Sequence, residues 1–123
     1  MNTFRVQRLD HVALNVTDVA RARAFYGGLL GLHEIARPAS FTFHGAWFQC
    51  GQEVVHLVGR KDPDADRSSH FALWVDDVRA AAKIFAGAGY AVNWDTTKIP
   101  GVDRFFVRDP DGNRVEIQGR DAL

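Results

Sequence analysis

The chain has 123 residues, 46% of them hydrophobic and 24% charged, which suits one folded domain with its own core. Fifteen basic residues balance fifteen acidic ones, so the electrostatic footprint of a nucleic-acid or anionic-membrane binder is missing. The lone Cys50 rules out an internal disulfide and a cysteine-rich zinc site, and a reducing cytoplasm is the expected setting.

No apolar run approaches the roughly 18 residues of a membrane span, and the opening Met1-Asn2-Thr3-Phe4-Arg5 is not expected to be a secretory signal. Alternating apolar and polar residues from Leu9 to Val16 predict a half-buried strand. Asp18 then stands where a helix N-cap belongs, and Val19, Ala22, Phe25, Tyr26 and Leu29 recur at helical spacing. Gly31 is the expected stop. Three short strands are predicted next, over 33–36, 46–50 and 54–58, with Phe41-Thr42-Phe43 leading into the second. The polar stretch 59–69, with Pro63 inside it, reads as a connector. Its acidic run Asp62-Pro63-Asp64-Ala65-Asp66 lacks calcium-loop spacing and is expected to be solvated.

The pattern then starts again. Alternation predicts a strand over 70–75, Asp77 is the N-cap, and Val78, Ala81, Ala82 and Phe85 share a helical face with Ile84 at its edge. Gly89 is the stop, followed by strands over 91–94, 104–108 and 114–118. Lys98 and Arg104, flanking Pro100-Gly101, read as solvated loop charges. Asp109-Pro110-Asp111-Gly112 is a turn, because proline presets its backbone angle and glycine accepts a positive one. His33, His44 and Cys50 suggest no role.

A shift of 59 residues superposes the two halves. His11, Ala13, Leu14, Val16, Asp18 and Val19 fall on His70, Ala72, Leu73, Val75, Asp77 and Val78, and a shift of 60 lays Val55-His56-Leu57 on Val115-Glu116-Ile117. A nearly constant offset indicates duplication. The expected fold is α+β, two tandem βαβββ modules over about 7–60 and 68–120 within one domain of 1–123. One module alone leaves a sheet face and two edges uncovered, so the halves are expected to pair.

Strand parity decides which residues share a face. Val12, Leu14, Val16, Val55, Leu57, Phe71, Leu73, Val75, Val115 and Ile117 form the set that packs under helices. The opposite face carries His11, Asn15, His56, His70, Trp74 and Glu116. Three imidazoles and one carboxylate at matching repeat positions are expected to converge about a pseudo-twofold axis as a divalent-metal site. Zinc, nickel, iron and manganese all suit these donors. Asn15 and Trp74 on the same face are candidate substrate contacts. Of Trp47 and Phe48, one must share it too.

These residues carry a resemblance. Leu9-Asp-His-Val-Ala-Leu, Ala24-Phe-Tyr-Gly-Gly-Leu-Leu-Gly-Leu, Val54-Val-His-Leu, His70-Phe-Ala-Leu and Asp109-Pro-Asp-Gly-Asn-Arg-Val-Glu-Ile resemble the vicinal oxygen chelate superfamily over Leu9 to about Gln118. Its members include glyoxalase I, fosfomycin-resistance thiol transferases, bleomycin-binding proteins and extradiol dioxygenases. The resemblance implies a cup-shaped mixed sheet around a divalent metal, a homodimer, a small-molecule substrate, and ligands at His11, His56, His70 and Glu116. It implies a metal-dependent lyase, isomerase or thiol transferase acting on a small oxygenated substrate, with Glu116 as the base. Two other readings remain: a drug- or metabolite-binding resistance protein without turnover, and an iron(II) extradiol-type dioxygenase using His11, His70 and Glu116. The chain departs from bacterial glyoxalase I at His56 (glutamate there), Asn15 (arginine) and Arg60 (asparagine), and from fosfomycin transferases at Ala13 (threonine).

Overall fold

The structure, a computed structural model, describes residue 5 and residues 7–61, 70–97 and 99–122. Most of the connector, its acidic run and Lys98 lie outside them. The first module comprises β1 (His11–Val16), α1 (Val19–Arg23), β2 (His33–Ile35), β3 (Gly45–Cys50) and β4 (Glu53–Gly59). The second comprises β5 (His70–Trp74), α2 (Val78–Gly87), β6 (Asn93–Trp94), β7 (Val102–Arg108) and β8 (Arg114–Arg120). The two βαβββ repeats are thus present. Each folds into a four-stranded mixed sheet, ordered β1-β4-β3-β2 and β5-β8-β7-β6, with the first and last strands of each module parallel. Among the described residues no helix is long and apolar enough to cross a membrane.

The helix starts follow the capping residues. Asp18 Oδ1 accepts from Arg21 N–H and Asp77 Oδ1 from Ala80 N–H, each at 3.0 Å, satisfying donors that a first turn leaves unpaired. After Arg23 the first helix widens into a π-helical turn over Ala24–Leu29, where Leu30 N–H donates to Phe25 O five residues back. Periodicity alone does not foretell that widening. It places both Phe25 and Tyr26 in the core, at 1% and 0% exposure.

The modules meet through their helices. Phe25 contacts Phe85 and Tyr90 across the boundary, with ring centroids 5.4 and 5.3 Å apart. A polar latch adds direction. The Tyr26 hydroxyl donates to Asp109 Oδ2 at 2.9 Å, Asn113 Nδ2 donates to Asn15 O at 3.0 Å, and Thr17 donates to Asp111 Oδ1 through both its N–H and its hydroxyl. The predicted turn holds this latch, with Gly112 at φ +88° and its N–H bonded to Asp109 O. Packing helix to helix turns the opposite sheet faces outward. It also leaves β1 and β5 as sheet edges, each hydrogen-bonded on one side only among the described residues.

Candidate metal centre

Strand parity delivers the expected face. Val55, Leu57, Val115 and Ile117 are buried under the helices, whereas His56 and the neighbouring Trp47 lie on the other side of the first sheet. Phe48, 1% exposed, is the core member of the Trp47/Phe48 pair. In the first module Ala13 pairs with His56, and in the second Ala72 pairs with Glu116. His11 and His70 each stand two residues before those alanines. The two donor pairs therefore occupy the same places in two copies of one ladder.

In the first pair the His11 and His56 rings stack, with centroids 4.1 Å apart and planes 13° from parallel. Trp47 continues the stack on His56 at 4.0 Å. Asp10 Oδ2 lies 2.9 Å from His11 Nδ1, and a carboxylate there can only accept. The Nδ1 proton is thereby fixed, and Nε2 is left with the lone pair a metal would take. The hydrogen bond from His11, aided by Arg8, holds the Asp10 carboxyl below the usual range. Burial under its neighbours, then the adjacent His11, lowers the pKa of His56, so its neutral, ligating form is favoured.

In the second pair His70 Nε2 lies 3.1 Å from Glu116 Oε1. Glu116 is only 4% exposed, and Arg104 Nη1 stands 3.6 Å from its other oxygen while Arg104 Nη2 pairs with Asp95 Oδ2. Arg104 is accordingly no solvated loop charge. It sits on β7 with its side chain 20% exposed, sandwiched between two carboxylates. The 59-residue shift that lays Arg104 on Gly45 could have flagged it as a sheet-face residue. Phe106, which pairs with Glu116 in the ladder, packs edge-on against His70 at 5.5 Å.

The four predicted ligands thus come together as two pairs within one chain. Among the described residues no group of three or more His, Cys, Asp or Glu side chains is close enough to hold a metal ion. The donor types suit a divalent ion, and two nitrogens from one pair with a nitrogen and an oxygen from the other would make four ligands. Each pair alone is half of such a set. The predicted contacts Asn15 and Trp74 share this face by parity, Trp74 being 61% exposed.

Comparisons with known proteins agree with this architecture. "Glyoxylase I 4" of Arabidopsis thaliana is 26% identical over 99% of this chain and 76% of its own length. Lactoylglutathione lyase of Salmonella typhimurium is 30% identical over 94% of this chain and 95% of its own. The crystal structure of a glyoxalase family protein from Bacillus anthracis superposes with a TM-score of 0.89 and 31% identity, covering 98% of this chain and all of that one. The family model for the Glyoxalase/Bleomycin resistance protein/Dioxygenase superfamily matches residues 8–117, and the chain belongs to that superfamily.

Proposed function

We propose that the protein is a metal-dependent, glyoxalase-like enzyme, a lyase, isomerase or transferase acting on a small oxygenated substrate. Its site joins His11 and His56 of one copy to His70 and Glu116 of a second copy in a homodimer. The observation that carries this reading is the pair of half-sites at identical ladder positions, set on outward faces beside open strand edges. Joining β1 of one copy to β5 of another would satisfy both edges and bring the half-sites together, twice per dimer.

When bound, a divalent ion supplies a Lewis acid that holds adjacent substrate oxygens and favours negative charge developing between them. The chain's own groups do the rest. Asp10 orients His11, and Trp47 backs His56. Glu116 has one oxygen against His70, while its Oε2 is held more loosely, 3.6 Å from Arg104. Oε2 is the atom suited to accept a proton from substrate carbon beside a carbonyl, with Arg104 keeping the carboxylate in place. Trp74 and Asn15 border the reacting end.

Complementation tests the shared site. His11→Ala and His70→Ala chains, each expressed alone, should purify with little metal. Co-expressed, they form heterodimers in which one of two sites has all four donors, so about a quarter of all sites should fill. Co-expressed protein as empty as either variant alone would refute a site shared between copies, and full metal in both single variants would refute the ligand set.

A further inference from the structure

We propose that Arg37 is a specificity-determining residue that binds the acid group of an elongated substrate, a carboxylate or phosphonate carried on an apolar or aromatic body. The proposal rests on the metal-site reading for the other end of that substrate. Arg37 follows β2, and its guanidinium reaches over Gly45: a Cβ built there would lie 3.0 Å from Arg37 Nη1 and would collide with the Leu57 carbonyl oxygen. Gly45 has the same parity as Trp47, so the guanidinium lies on the sheet face that carries His56. Its Nη1 is buried without a hydrogen-bond partner, and no carboxylate pairs with Arg37 among the described residues. A buried guanidinium N–H left unpaired is costly, and an acid group is the natural acceptor.

The second module supplies the contrast. Its residue at the Gly45 position is Arg104, whose charge is already met by Asp95 and Glu116. Arg37 places a guanidinium over Gly45 in the first module, where no carboxylate among the described residues pairs with it.

What lies between Arg37 and the metal half-site is a run of rings. Arg37 sits 5.3 Å over Phe43, Phe43 is 5.5 Å from Phe41, Phe41 is 5.1 Å from Trp47, and Trp47 stacks on His56. Phe43 is 48% exposed, a large apolar face open to a ligand. An acid group at Arg37, an apolar body along Phe43, Phe41 and Trp47, and oxygens at the metal end would use every one of these groups.

The test needs no metal. Chelator-stripped protein is titrated with 3-phenylpropanoate, 2-phenylethylphosphonate and the neutral 3-phenylpropanamide, following tryptophan fluorescence. At least one acid should bind about tenfold or more tightly than the amide. Which acid wins identifies the group. Arg37→Gln should erase that preference and Arg37→Lys should keep part of it, with circular dichroism confirming that both fold. Equal binding of acids and amide, no binding of either acid, or an Arg37→Gln chain that still prefers the acid would overturn the proposal. Metal content is measured on separate, unstripped samples. Loss of metal binding in the wild type would count against the metal site, while the acid preference would stand or fall on its own.

Discussion

Replacing Tyr26 with phenylalanine removes one hydroxyl from the latch between modules and changes almost no volume. Asp109 is 4% exposed and accepts four hydrogen bonds, from Asp111 N–H and Asn113 N–H on Oδ1 and from Tyr26 O–H and Asn113 Nδ2 on Oδ2. Tyr26 is the donor that comes from the other module. A hydrogen bond to a charged group contributes about 1.5–3 kcal/mol. For a chain of 123 residues, an unfolding entropy of about 2.1 cal/mol/K per residue turns that into a Tm lower by about 6–12 °C. Urea unfolding should show a lower midpoint at unchanged slope, which separates lost stability from a looser native state.

A pH signature accompanies the loss. Burial, reinforced by the Asp109 charge, pushes the Tyr26 hydroxyl far above its ordinary pKa. A folded-state pKa above the unfolded value of about 10 means a contribution complete below pH 10 and lost as pH rises past it, by about 1.4 kcal/mol per unit. The wild type should therefore fall more steeply than Tyr26→Phe above pH 10. A cost under about 0.5 kcal/mol together with parallel alkaline slopes would refute the latch as a source of stability.

Two further outcomes follow from the half-sites. The folded-state pKa of His56 lies below its unfolded value of about 6.5, so the metal-free protein should lose stability as pH falls below 6.5. Urea midpoints at pH 7.5 and 5.5 should differ less in His56→Gln than in the wild type. Arg104→Gln leaves Glu116 and Asp95 without their shared cation, and should weaken metal binding by about 10–100-fold in a competition assay with a chromogenic chelator.

Much of the fold was legible because duplication writes its message twice. The His11 and His70 strands and the Asp18 and Asp77 caps follow from local chemistry that each half repeats, and the Asp109–Gly112 turn from the proline and glycine of the second half alone. Strand parity also set the candidate ligands on the face opposite the core residues Val55, Leu57, Val115 and Ile117. What parity cannot convey is how two modules dock. The Tyr26–Asp109 bond spans 83 residues, and no local pattern announces that helices, rather than ligand-bearing sheet faces, meet within the chain. Parity leaves open whether the four donors meet within one chain or across a dimer, and the docking of the modules groups them as two pairs. Asp10 escaped notice because its strand parity differs from that of His11, yet a side chain at a strand's start can turn to its neighbour. Arg37 lies outside any repeat match, since its counterpart does its work from within β7 as Arg104.

Twin modules began with twin surfaces, and an unsymmetrical ligand seated between identical walls would lie either way round with equal ease. Here Trp47 answers Phe106, His56 answers Glu116, and Gly45 answers Arg104. That inequality breaks the tie. On the proposed function, a guest entering such a cleft would have one heading, and Glu116 would always meet the same end of it.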